Sequence, residues 1–83
     1  MEKNWFVYIL RCKDKTLYTG VTNDIDKRLL AHNESDTGAK YTKARRPVVL
    51  VYKEAIKDRS EAQKREAAIK NLSRLAKLSL IKG

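Results

Sequence analysis

Trp5-Phe6-Val7-Tyr8-Ile9-Leu10 and Leu17-Tyr18-Thr19-Gly20-Val21, with the polar Lys13-Asp14-Lys15-Thr16 between them, decide the fold. The first run is aromatic and β-branched and apolar at successive positions, the pattern of a strand covered on both faces in the middle of a sheet. The second resumes the strand pattern after a turn, so the two read as a β-hairpin. A register symmetric about the turn puts Tyr8 and Tyr18 on one face, whereas a bulge or offset separates them. Gly20 leaves the backbone bare, as a plain strand-end glycine or as a place where a ligand approaches closely.

Outward from the hairpin, Thr22 or Asn23 is placed to cap a helix from about Asp24 to Asn33, with Asp24 and Asp26 in its first turn. Residues 34–40, with Ser35, Asp36 and Gly38, read as a loop. After Pro47, Val48-Val49-Leu50-Val51-Tyr52 reads as a short buried strand. Ser60-Glu61-Ala62-Gln63 fits a capping box that opens a helix to about Leu72, and Ser73 caps another from Arg74 to about Ile81. The expected order is β-β-α-β-α-α, a single α+β domain over residues 1–83.

With 83 residues, a chain buries only about 60–65% of the surface its unfolded state exposes, so the core must be thin: one small sheet with helices on it. The 42% hydrophobic content suits a folded domain rather than a disordered tail. No apolar run approaches the roughly 20 residues of a membrane span, and Met1-Glu2-Lys3-Asn4 leads into a strand rather than a signal peptide. The lone Cys12 excludes an internal disulfide and a zinc cluster and reads as a packing residue. The expectation is a soluble, cytoplasmic domain with no membrane attachment.

Nineteen Lys and Arg against ten Asp and Glu give a net charge of +9. Residues 1–40 hold seven basic and six acidic groups, residues 41–83 twelve and four, so the two parts carry +1 and +8. Such a field favours a polyanion, most often nucleic acid. Within it, Gly38-Ala39-Lys40-Tyr41-Thr42-Lys43-Ala44-Arg45-Arg46-Pro47 is the clearest nucleic-acid element. Lys40, Lys43, Arg45 and Arg46 suit phosphates and Tyr41 suits base stacking; a solvated charged loop is the plainer reading.

Two polar residues fall on faces that should be apolar. Ala62, Glu66, Ile69 and Ser73 share one sector of their helix, so Glu66 faces the protein, either as a salt-bridge partner or as a metal ligand at the rim of a cleft. Ile25, Leu29 and His32 share a face bordered by Arg28. The histidine reads either as a packing residue or, held neutral by the neighbouring cation, as a proton acceptor. The guanidinium of Arg28 suits phosphate. Paired strand tyrosines normally pack, but a phenol among cations can be acidified enough to act as a base.

Phe6-Val7-Tyr8, Tyr18-Thr19-Gly20, Arg28, His32 and Glu66 stand in the order and spacing of the GIY-YIG endonuclease superfamily, and the chain resembles its small stand-alone bacterial members of unassigned function. The likeness extends over almost the whole chain, and the Gly38–Pro47 stretch is similar to that of the structure-specific resolvase branch. It implies a three-stranded antiparallel sheet with flanking helices and hydrolysis of a DNA phosphodiester with one Mg²⁺ or Mn²⁺, in repair or recombination. The roles implied are Tyr8 or Tyr18 at the attacking water, Arg28 on the phosphate, His32 in proton handling and Glu66 on the metal. One carboxylate suffices for an ion that keeps much of its hydration shell.

The departures are definite. Phe6 and Val7 replace the glycine and isoleucine of the first motif, Thr19 the isoleucine of the second, and Val21 the lysine that follows it in excision-repair members. His32 stands where those members have tyrosine, and their downstream asparagine has no counterpart. The expectation is that no targeting domain stands beside it, which leaves substrate choice to this domain or a protein partner. The rival readings are a catalytically weak module that binds DNA or RNA, and a basic protein that docks on another protein; the second leaves the five-residue set unexplained.

Overall fold

A central strand, β1 (Trp5–Arg11), is flanked by β2 (Leu17–Thr22) on one side and β3 (Val49–Ile56) on the other, both antiparallel to it. This computed structural model describes residues 4–34 and 40–83, with Lys40 described by its backbone alone. The readings of Met1-Glu2-Lys3 and of residues 35–39 lie outside the described residues. The hairpin turn is held locally: the Cys12 N–H donates to the Thr16 carbonyl and the Lys15 N–H to the Cys12 carbonyl, both at 2.9 Å. Asp14 Oδ1 accepts from the Thr16 N–H and hydroxyl at 3.1 and 2.6 Å. Lys15 takes the left-handed conformation this turn demands (φ 69°).

Both faces of β1 are covered, as its continuous apolar run requires. Val7 and Ile9 point into one core with Ala62 and Ile69 of α3 (Arg59–Lys70), joined by Leu80 and Ile81 of α4 (Arg74–Lys82). Tyr8, Leu10, Cys12 and Val48 form the other core, closed by Ile25 and Leu29 of α1 (Ile25–Glu34). Each fully buried aliphatic side chain contributes roughly 1.5–3 kcal/mol. Such residues are few, and the core is as thin as the chain length requires.

Two of the helices are capped by different residues from those expected. For α1, Thr22 Oγ1 accepts from the Asp24 N–H, and Asp24 itself caps the helix by accepting from the Lys27 N–H, each at 3.1 Å. For α3 the cap is Asp58, which accepts from the Glu61 N–H at 2.9 Å, and not Ser60. An aspartate and a serine two residues apart offer equivalent cap chemistry, and the extended backbone at Asp58 selects it. Ser73 caps α4 as expected, accepting from the Ala76 N–H at 3.1 Å.

Two segments depart further. Lys40–Lys43, expected as loop, forms a four-residue helix α2, which interposes itself between α1 and β3. Expected to be short and buried, β3 is eight residues long and an edge strand with alternating exposure. Its pairing carries a bulge: Ile9 opposes Tyr52 but Leu10 opposes Leu50, so Val51 is inserted. Leu50 therefore packs in the α1 core while Val51 and Tyr52 pack with α3 and α4.

Two polar links fix the helices to the sheet. Asn33 at the end of α1 clasps the backbone of Val48, accepting its N–H at 2.8 Å and donating to its carbonyl at 3.0 Å. On the other face, Glu54 of β3 accepts from the Tyr52 hydroxyl at 3.0 Å and from Arg65 Nε of α3 at 2.8 Å. Burial raises the Tyr52 phenol pKa, and the Glu54 carboxylate reinforces the shift, so the tyrosine remains a donor.

Candidate active site

In the hairpin register Tyr8 faces Gly20 and Leu10 faces Tyr18. Directly opposed residues share a face, so Tyr8, Tyr18 and Gly20 all point to the α1 side. The symmetric alternative holds, and the two tyrosines are diagonal neighbours. Gly20 answers to Tyr8: a Cβ built there would meet the Tyr8 hydroxyl, with Cζ at 2.6 Å. The ring lies over the bare backbone of the edge strand and fills the space that a ligand's close approach would have used.

Around this edge opens a cleft of about 270 Å³ lined by Tyr8, Tyr18, Gly20, Arg28 and Glu66. α3 packs on the opposite face of the sheet, where Val21 and Trp5 also point, yet Glu66 reaches the cleft that holds Tyr18 because the cleft straddles the β2 edge. Four of the five expected catalytic residues thus line one concavity. Three lining residues carried no expectation: Trp5, Arg59 and Gln63. The guanidinium of Arg59 sits 5.8 Å from the Trp5 ring centroid. Arg59, Gln63 and Glu66 follow i, i+4, i+7 spacing, a stripe that helical periodicity makes legible.

His32, the fifth, is wholly buried behind the cleft. Its Nε2 shares a 2.9 Å hydrogen bond with the Tyr8 hydroxyl and its Nδ1 a 2.8 Å hydrogen bond with Thr42 Oγ1. The edges of the Tyr8 and Tyr18 rings also meet it, at centroid distances of 6.0 and 5.2 Å. Burial, then the charges of Arg28 and Arg46, push the imidazole pKa down to about 4. It is neutral at physiological pH, with burial outweighing the arginine effect. Tyr8 corrects an expectation: burial raises its pKa more strongly than the adjoining Arg28 lowers it. The phenol keeps its proton instead of being acidified.

Glu66 is not sealed in the core. Its side chain is 25% exposed and its Oε2 lies 3.6 Å from Lys70 Nζ, an i,i+4 pair at the rim of the cleft. Among the described residues no three His, Cys, Asp or Glu side chains cluster as a metal cage, and Glu66 alone brings a carboxylate to this cleft. One hard oxygen donor suits a hydrated Mg²⁺ or Mn²⁺ and does not suit zinc, which requires several nitrogen or sulfur ligands.

The basic segment is arranged for internal contacts. Arg46 donates from Nε to the His32 carbonyl at 2.6 Å and from Nη2 to the Ala31 carbonyl at 3.3 Å, tying off the last turn of α1. Arg45 donates to Asp14 Oδ2 at 3.0 Å and to the Tyr41 carbonyl at 2.9 Å, and lies 4.0 Å above the Tyr41 ring. Tyr41, 38% exposed, stacks on Tyr18 with centroids 6.0 Å apart. Lys43 is on the exposed side of α2, and Lys40 is described by backbone only. Thr42, within the stretch read as a nucleic-acid element, is buried against His32. Its partner is ten residues away on another helix, and no local pattern marks the pairing.

A family model for the GIY-YIG catalytic domain matches residues 4–79. A UPF0213 protein of Syntrophus aciditrophicus is 60% identical over 82 residues, 99% of this chain and 93% of that one. One from Desulfotalea psychrophila is 59% identical over 78 residues, 94% of this chain and 71% of that one. Two solution NMR structures are similar. A UPF0213 protein from Bacillus halodurans gives a TM-score of 0.61 at 46% identity, over 95% of this chain and 83% of that one. A protein from E. faecalis gives 0.66 at 43%, over 98% and 85%. No helix among the described residues is long and apolar enough to cross a membrane.

Proposed function

The chain belongs to the GIY-YIG family, within its small UPF0213 group, and from that premise we propose that it is a metal-dependent endonuclease hydrolysing DNA phosphodiester bonds. The observation that carries this reading is the meeting of Tyr8, Tyr18, Arg28 and Glu66 in one cleft with neutral His32 bonded to Tyr8 from behind.

In the productive tautomer the Tyr8 O–H donates to His32 Nε2 and the Nδ1–H of His32 donates to Thr42 Oγ1. The phenol oxygen is then directed by its own hydrogen bond to offer a lone pair toward the cleft. It takes a proton from the attacking water while passing its own to the imidazole, so the raised phenol pKa is no obstacle: no standing phenolate is required. The water oxygen forms the new P–O bond, and the bond to the leaving sugar oxygen breaks, that oxygen taking a proton from solvent. Arg28 neutralises charge growing on the phosphoryl oxygens, and the phosphate's negative charge offsets the arginine's share of the depression of the His32 pKa, burial being the larger cause. Tyr18 walls the cleft and fixes the imidazole plane by edge contact. Glu66 would hold the Mg²⁺ or Mn²⁺, which when bound supplies Lewis-acid polarisation of the phosphate.

The test is cleavage of labelled duplex, flap, junction and single-stranded DNA, each with Mg²⁺, Mn²⁺ or chelator. Cleavage dependent on metal is expected for at least one DNA structure. Binding without cleavage under every metal would give the cleft to a nucleic-acid-binding module instead.

A further inference from the structure

At the far end of β1 from Trp5 lies a second concavity, larger than the cleft at about 570 Å³. Arg11, Lys13, Lys15 and Arg74 line it, and its remaining lining side chains include the apolar Val49 and Pro47. Among the described residues no carboxylate lines it. The four cations come from the end of β1, the hairpin turn and the first residue of α4. They are brought together by defined contacts: Arg74 Nη2 donates to the Lys15 carbonyl at 3.0 Å and the Lys13 N–H to the Arg45 carbonyl at 2.9 Å. Gathering four like charges around one groove costs self-repulsion, which a polyanion relieves. Cationic walls over an apolar floor match a phosphate–sugar backbone, whose charged and apolar parts alternate.

Tyr8 lines the cleft and Arg11 lines the groove, three residues apart on the same strand with their side chains on opposite faces of the sheet. We propose that this groove is a second nucleic-acid contact that holds backbone phosphates away from the bond placed in the cleft. It rests on the nuclease reading for its ligand and extends that reading to how a domain this small grips its substrate.

Binding of a 20-base-pair duplex in chelator, measured between 50 and 200 mM salt, tests it. The variant is Lys13→Gln with Lys15→Asn, since asparagine tolerates the left-handed backbone at position 15. Losing two phosphate contacts should reduce the log–log salt slope by about 1.8, so that the affinity lost over this range shrinks by about tenfold. A control, Lys53→Gln with Lys57→Gln, removes the same charge from exposed positions outside groove and cleft, and should change the slope by less than half as much. Equal slopes for the two variants would mean that net charge alone acts, and would overturn the groove. So would competition by inorganic phosphate at low millimolar concentration with no dependence on duplex length, which marks a small-anion site. An unchanged slope in the groove variant beside metal-dependent cleavage by the parent defeats the groove and leaves the nuclease standing. A parent that binds no DNA defeats both.

Discussion

The cleft at the β2 edge and the basic stretch from Tyr41 to Arg46 both carry residues suited to nucleic acid, and the fold uses them in opposite ways. In the cleft, Tyr8, Tyr18, Arg28 and Glu66 come from four elements and open onto a shared space. In the basic stretch, Arg46 is committed to the carbonyls of His32 and Ala31, Arg45 to Asp14 and Tyr41, and Thr42 to His32. The stretch buttresses the back of the cleft. Composition reports which groups are present, whereas the register and helical phase determine which of them remain open to a ligand.

The sharpest test of that contrast is Glu66→Gln. Cleavage should fall by two to three orders of magnitude, roughly 3–4 kcal/mol of transition-state stabilisation. Folding stability should change by under about 0.5 kcal/mol, because the pair with Lys70 is a surface i,i+4 pair. Cleavage that survives this substitution would move the chemistry out of the cleft.

Next is the pH dependence of stability. The unfolded imidazole takes a proton below about 6.5, the folded one only below about 4. The unfolded state therefore binds more protons in that window, and the contribution of His32, complete above pH 6.5, is lost as pH falls toward 4. Its size is about 3 kcal/mol. Denaturant midpoints at pH 7 and 4.5, for the parent and for His32→Asn, isolate it from the carboxylates. Parallel profiles would mean that the imidazole is hydrated and not sealed behind Tyr8.

Gly20→Ala should cost about 1–3 kcal/mol by thermal denaturation, since the new methyl group must displace the Tyr8 ring. A neutral outcome would restore the reading of Gly20 as an open approach for ligand. The smallest effects separate the two arginines. Arg46→Gln removes charge-assisted bonds to two α1 carbonyls and should cost about 1–2 kcal/mol. Arg45→Gln loses an exposed pair with Asp14 and should cost under about 1 kcal/mol. If both leave stability untouched while weakening DNA binding, the basic stretch is an interface after all.

The hairpin, its central strand, the four longer helices and strands that follow and the inward placing of Glu66 and His32 were all legible, because period 2 and period 3.6 are written in which positions are apolar. The hidden part consists of bonds between distant residues. Nothing near Thr42 announces His32, and nothing near Arg46 announces the α1 carbonyls. Asp58 and Ser60 offer the same cap chemistry, and only backbone conformation chooses between them. The protonation of Tyr8 was hidden for a related reason: its neighbours in sequence show the cations around it but not how little water reaches it.

The bulge at Val51 acts on the cleft as a phase setting. By inserting one residue it shifts the alternation of β3, so Tyr52 and Glu54 arrive on the α3 side, where Glu54 grips Arg65. Arg65 is the neighbour of Glu66, about 100° away around the helix. Holding one fixes the rotation of α3 and with it the bearing of the other. Pairing that residue into the ladder without the bulge would turn Glu54 to the wrong side and release the helix to roll about its axis. The carboxylate would lose its aim through a change on the opposite edge of the sheet.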